Sequence, residues 1–273
     1  MTTSTDVPAA TGHVAVVTGV SRRAGIGFAI ARRLLSDGAS VFCQSWTPHD
    51  AAQPWGADPD GAAGAIAALD APAGRVEHLE LDLADAANAD RLLDAATERF
   101  GAVDLLVVNH ARSSSQSLWT LTAEELDASW AVNARASVLL VRAFAVRRPA
   151  RHPSVPLSTG GLPSDPDSRP GGRVVLFTSG QHRCPMSGEL PYAISKGAIH
   201  QMTLSLADAV ADLGITVNAV NPGPTDTGWA DPERHAAVAQ GFPSGRWNTA
   251  DDVAGVVAWL LGTDAATVTG QVI

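Results

Sequence analysis

The chain has 273 residues, of which 45% are hydrophobic, 17% charged and 5% aromatic, and its formal net charge is −9. That is enough apolar material for one sizeable core, and the acidic balance excludes a phosphate-backbone footprint, so no nucleic-acid partner is expected. Two cysteines, Cys43 and Cys184, are too few for a disulfide framework, and the eight histidines are scattered without ligand spacing, so no metal is expected. The first ten residues lack the basic start and apolar centre of a secretory signal, and no later run is long enough to span a bilayer. A cytoplasmic protein without a membrane partner is the expectation.

Residues 1–11 read as a flexible tail. His13-Val14-Ala15-Val16-Val17 then reads as a strand and runs into Thr18-Gly19-Val20-Ser21-Arg22-Arg23-Ala24-Gly25-Ile26-Gly27. A helical pattern follows, apolar at 28, 30, 31, 34 and 35, and stops at Asp37-Gly38. Strand, glycine-rich turn and helix in this order predict a dinucleotide phosphate site. Glycines let the backbone approach a pyrophosphate, and the helix amino terminus favours its charge.

Strand-like runs recur at 39–45, 75–81, 103–108, 173–178 and 215–220, with helical runs at 86–100, 122–147, 190–213 and 249–261 between them. The alternation predicts one α/β domain over 12–273: a Rossmann-type, doubly wound parallel sheet of about seven strands with helices on both faces. Arg148 to Gly172, rich in Pro, Gly and Ser, predicts a surface loop insertion, and Pro54 to Pro59 a shorter one.

Chemistry enters with Ser179-x12-Tyr192-x3-Lys196. On a helix, Tyr192 and Lys196 are i and i+4 and share a face, which sets an ammonium beside a phenol. A free phenol titrates near pH ~10, so base chemistry at neutral pH needs roughly 4 kcal/mol of help, part of which a neighbouring cation supplies. Ser179 ends the apolar run Val174 to Thr178, so its hydroxyl is expected at a strand's carboxyl end, where α/β sheets bind ligands.

These motifs, with Asp82-Leu83, Val108-Asn109-His110-Ala111, Trp130-Ala131-Val132-Asn133 and Asn221-Pro222-Gly223-Pro224-Thr225-Asp226-Thr227, make the chain resemble the short-chain dehydrogenase/reductase family from about residue 12 to the end. The resemblance implies that Tyr192 exchanges a proton with the reacting oxygen and that Ser179 hydrogen-bonds it. Lys196 would bind the nicotinamide ribose and depress the Tyr192 pKa, while Asn133 would hold a water linking Lys196 to solvent. The same resemblance places Asp82 and Leu83, Asn109 and Ala111 on the adenosine side, and Pro222, Gly223, Thr225 and Thr227 against the nicotinamide carboxamide. Gly19, Ser21, Arg22, Arg23, Gly25, Ile26 and Gly27 would line the phosphates, with Ser45 and Trp46 at the adenosine ribose. A homotetramer or homodimer is also implied.

Departures from the family pattern are the lengthened glycine turn, His110 in place of a small residue, and a short end at Thr269 to Ile273. No acid ends the second strand, Ser40 to Trp46; the next is Asp50, and Arg22 and Arg23 lie where a ribose phosphate could be met by a planar donor fork. NADP(H) is therefore expected over NAD(H). Gln181, His182, Met186, Glu189 and Trp229 flank the expected substrate pocket, and Glu189 would oppose depression of the Tyr192 pKa. The sequence thus predicts an NADP(H)-dependent oxidoreductase interconverting a ketone, aldehyde or 3-oxoacyl group and its alcohol. The alternatives are an NAD-dependent alcohol dehydrogenase and a dinucleotide-binding protein that acts through binding or assembly. A cofactor-free lyase on the same scaffold is disfavoured by Lys196 and the glycine turn.

Overall fold

The computed structural model describes Ala10 and residues 12–148, 171–241 and 245–273; most of the predicted tail and of the 148–172 insertion lies outside the described residues. β1 (Val14–Thr18), α1 (Ile26–Ser36), β2 (Ser40–Ser45), α2 (Thr47–Ala51), α3 (Gly61–Ala67), β3 (Val76–Glu80), α4 (Asn88–Phe100) and β4 (Leu105–Val108) form the first half. The second contains α5 (Ala123–Ser129), α6 (Ala136–Val146), β5 (Arg173–Phe177), α7 (Leu190–Ala209), β6 (Thr216–Val220), β7 (Thr225–Asp226), α8 (Pro232–Gly241), β8 (Asn248–Thr249) and α9 (Ala250–Leu261).

Six strands form one parallel sheet in the order β3-β2-β1-β4-β5-β6. The order reverses between β1 and β4, which opens a crevice at their carboxyl ends. Strand residues alternate between the two faces: Ala15, Val17, Val107, Val175 and Phe177 pack with α1 and α9. Val16, Leu106, Val174, Leu176 and Val217 pack with α4, α6 and α7. Burial on both faces is why these strands read as continuous apolar runs.

Where the sequence reading expects about seven strands, six are complete and the edge beside β6 carries the seventh in part. The last residues run beside β6, with Gly270 N–H donating to Val217 O at 2.7 Å and Ala219 N–H to Gln271 O at 2.8 Å. Among the described residues of this edge only Val272 makes a bridge, to Ala219, so the edge is a partial seventh strand. The helix expected over 122–147 is also not uniform. Between α5 and α6 the residues Trp130–Arg135 form a wide π-turn, a local widening often found at functional sites. Missed altogether were α2, α3, α8 and the small β7-β8 pair, whose short patterns carry little periodicity.

Candidate active site

The glycine turn leaves β1 through Gly19, whose φ of +74° is open to glycine at little cost. A Cβ on Gly27 would stand 2.4 Å from Gly19 O, so the start of α1 closes directly on the turn. α1 has no side-chain cap at Gly25 and no acid in its first turn, so its orphan N–H groups and positive dipole end remain available to an anion. These residues fit a dinucleotide pyrophosphate.

At the neighbouring strand ends, α7 is stitched to β5. The Lys196 ammonium donates to Phe177 O at 2.8 Å. Thr178 Oγ1 donates to Lys196 O at 3.0 Å. This brings Ser179, Tyr192 and Lys196 together as the spacing predicts. The Ser179 hydroxyl stands near enough to the Tyr192 phenol to lower its pKa, and Lys196 Nζ lies 5.7 Å from the centre of the Tyr192 ring.

Electrostatically the trio differs from the expectation. Burial raises the Tyr192 pKa, the nearby Ser179 hydroxyl lowers it, and Glu189 raises it further. Glu189 therefore acts in the direction its position suggested, while the depression expected from Lys196 is not what dominates. Burial lowers Lys196 itself to about 7, because a fully enclosed ammonium loses its hydration. Partial deprotonation near neutrality leaves less cationic charge to act on the phenol.

Asn133 is fully buried in the π-turn. Its Oδ1 accepts from Arg112 N–H at 2.7 Å, and its Nδ2 donates to Arg112 O at 3.0 Å and to Ser195 Oγ at 2.9 Å. The side chain braces the β4 loop against α7. Asn109 Nδ2 reaches Thr18 O at 3.1 Å and Gly19 O at 3.3 Å, holding the glycine turn to the end of β4. Ala111 and Ile26 are half-buried beside the same crevice residues.

Other predicted cofactor residues fall differently. Ser45 has no exposed surface, and its hydroxyl contacts His78 Nε2 at 2.8 Å. Leu83 is packed in the core beneath α4. The end of β2 turns the Ser45 side chain inward, and the Leu83 side chain follows the apolar face, which leaves only their backbone for a dinucleotide. Trp46 is 38% exposed at the start of α2. Asp82 Oδ1 accepts from Ala84 N–H at 2.8 Å and so orders its own turn.

The two arginines have partners that the sequence did not reveal. Arg23 forms ion pairs at 2.7 Å with both Asp58 and Asp60. Arg22 Nη2 donates to Thr227 O at 3.1 Å and ties the glycine turn to the 222–227 segment. There Thr225 Oγ1 donates to Pro222 O at 3.2 Å and Gly223 adopts φ +62°. Asp50, expected to lie too late to matter, accepts a hydrogen bond from the Ser21 hydroxyl because α2 folds back over the turn.

In the proposed pocket, Met186 and Glu189 are half-buried and His182 is exposed. Gln181 is turned away, donating to Thr178 Oγ1 at 3.1 Å. Trp229 Nε1 donates to Thr225 O at 3.0 Å, and its ring meets Trp247 edge-on with centroids 5.4 Å apart. Sequence reasoning missed Gln44, whose Oε1 accepts from Gly19 N–H at 3.1 Å and whose Nε2 donates to Leu81 O at 2.8 Å. An amide inside the apolar strand Val41-Phe42-Cys43 was the available signal. It also missed Ser195, which lies beside Lys196 and carries no motif of its own.

A glycine turn open to a pyrophosphate, set beside a tyrosine that can exchange a proton, defines a dinucleotide-dependent oxidoreductase site. Residues 13–237 match the short chain dehydrogenase family. The chain is 36% identical over 260 residues to the uncharacterized oxidoreductase YjdA of Bacillus subtilis, covering 95% of this chain and 94% of that protein. It superposes with a TM-score of 0.79 and 31% identity on a short chain dehydrogenase of Burkholderia cenocepacia in complex with NADP, covering 97% and 96% of the two chains. A promiscuous reductase, LugOII, that catalyses keto-reduction in lugdunomycin biosynthesis matches with a TM-score of 0.78 and 32% identity over 97% and 96% of the chains. The chain belongs to the short-chain dehydrogenase/reductase family, whose members are oxidoreductases acting on CH–OH groups with a nicotinamide dinucleotide. Among the described residues, no helix is long and apolar enough to cross a membrane.

Proposed function

We propose that the protein is an NADP(H)-dependent oxidoreductase that interconverts a small-molecule ketone, aldehyde or 3-oxoacyl group and its alcohol. The observation that carries this reading is the Ser179–Tyr192–Lys196 constellation at the crevice edge, with Ser179 and Tyr192 half-buried above a fully buried Lys196. The bound dinucleotide supplies the hydride. Tyr192 delivers a proton to the developing alkoxide in reduction and withdraws it in oxidation, and a raised pKa keeps the phenol protonated for reduction. Ser179 orients the oxygen, and Lys196 and Asn133 hold the proton path behind the phenol. The NADP complex of the Burkholderia relative and the absence of an acid at Gln44-Ser45-Trp46 support NADP(H).

A second reading, NAD(H) dependence, rests on Asp50 at Ser21 and on the occupation of Arg23 by two acids. Thermal unfolding with NADPH, NADH or neither separates the two. A ligand at a hundredfold its Kd stabilises by about 2.7 kcal/mol, so a shift with NADPH alone supports the first reading and a shift with NADH alone the second. No shift with either removes both. We also infer self-association through α5–α7, where Trp130, Val138, Ile194 and Leu204 are exposed; light scattering that gives a monomer mass would refute it.

A further inference from the structure

We propose that His110 is a positioning residue that clamps the dinucleotide-binding turn to the π-turn carrying Asn133. This inference rests on the function proposed above and concerns a side chain that the proton exchange itself does not use. His110 lies at the carboxyl end of β4 and is buried. Its Nδ1 stands 2.8 Å from Thr18 Oγ1, at the last residue of β1 before Gly19. Its Nε2 stands 2.9 Å from Val132 O, the residue before Asn133. One ring therefore touches both halves of the site.

The chemistry of the partners selects one tautomer. A carbonyl only accepts, so Nε2 carries the hydrogen and donates it to Val132. Burial and the nearby Lys196 oppose a second proton and hold the His110 pKa at about 4, so the ring is neutral at physiological pH. Nδ1 is then an acceptor, and the Thr18 hydroxyl donates to it. That hydroxyl oxygen in turn accepts from Asn109 N–H at 3.0 Å and His110 N–H at 3.2 Å, and Val107 O, 3.3 Å away, is the more distant of the two acceptors for its single proton.

The contacts continue toward the reacting groups. Beyond Val132 the next residue, Asn133, donates to Ser195 Oγ at 2.9 Å. Ser195 Oγ donates to Tyr192 O at 2.8 Å. On the other side, a Cβ on Gly19 would stand 2.9 Å from His110 Cα, so the glycine turn packs directly against the histidine backbone. Loosening His110 therefore frees the phosphate turn and the support of Lys196 together, although the ring contacts neither reacting oxygen nor hydride. A residue that only filled space would not require a fixed tautomer.

The test uses the ligand-free full chain, His110→Ala and His110→Gln. Long-range nitrogen–proton NMR of the wild type is expected to show a neutral ring protonated on Nε2 between pH 5.5 and 8, values chosen to lie above its folded pKa and around neutrality. Protonation on Nδ1, or a charged ring, overturns the clamp even if no variant folds. In His110→Ala, amide exchange is expected to quicken about tenfold at both 18–20 and 130–135 but not in α9. Uniform quickening, or an unchanged rate in either turn, refutes the proposal. NADPH Kd is expected to rise and kcat to fall by about tenfold each, with the carbonyl KM within about twofold. His110→Gln, whose amide can donate to Val132 O from the Nε2 position but cannot at the same time set its oxygen at Thr18, should recover the slow exchange of 130–135 alone; failure to recover it overturns the role of that bond. A wild-type protein that neither binds NADPH nor reduces carbonyls refutes the proposed function, while the ligand-free exchange and tautomer measurements still judge the clamp.

Discussion

The floor of the site and its adenosine rim handle charge in opposite ways. On the floor, Lys196 is 2% exposed and its ammonium donates to the Phe177 backbone carbonyl rather than to a carboxylate, so desolvation governs its titration. At the rim, the Arg23 side chain is 41% exposed and is matched by two carboxylates, of which Asp58 is buried and Asp60 is open to water. Hydrogen bonding from Arg23 lowers the Asp58 pKa against the opposing effect of burial. The floor destabilises its cation by excluding water; the rim neutralises its guanidinium with acids of the same chain.

The sharpest way to break this contrast is Tyr192→Phe. Loss of the proton donor should lower carbonyl-reduction kcat by about 10²–10⁴-fold while NADPH Kd stays within about twofold. Steady-state rates and fluorescence titration measure the two, and retained turnover would remove Tyr192 as the acid.

Lys196→Met tests whether burial governs the floor. The folded pKa of about 7 lies below the ordinary 10.5, so between those values the unfolded chain holds a proton that the folded chain lacks. Wild-type stability at this site should therefore rise with pH through that window, and below about 7 the full cost of the buried ammonium persists. Ligand-free Lys196→Met should be more stable than wild type at pH 6.5, with the gap closing toward pH 10, near the unfolded pKa, while turnover is lost. Urea midpoints at several pH values check the sign, and a constant gap would mean that the ammonium is solvated.

A smaller effect is expected at the rim. Asp58→Asn should release part of Arg23 and raise the ratio of NADPH to NADH affinity by about three- to tenfold. Asp60→Ala, which removes only the exposed arm of the pair, should change neither the ratio nor the melting temperature measurably. Equal responses from the two variants would erase the distinction between the buried and the exposed acid.

Much of this was legible in the residues themselves. The strand and helix runs from β1 to α9 were visible because each element carries its own period, and Tyr192 and Lys196 were paired because one helical turn separates them. Short α2 and α3 were not visible, and with them went the positions of Asp50 and Asp58. The burial of the Ser45 and Leu83 side chains was not legible either, because a residue's place in the chain does not say whether it faces a crevice or a core.

By itself, then, the sequence determined the alternating sheet and helices, the glycine turn at the end of β1 and the Ser–Tyr–Lys set, because each rests on contacts within a turn or at a strand end. Tertiary structure alone decided that Arg23 meets acids 35 and 37 residues away and that His110 reaches Thr18 and Val132 across 92 and 22 residues. It also decided that Lys196 loses its water. The physical reason is common to all three: desolvation and hydrogen-bond choice are fixed by whichever distant groups the packed core brings within about 3 Å, and local periodicity carries no record of them.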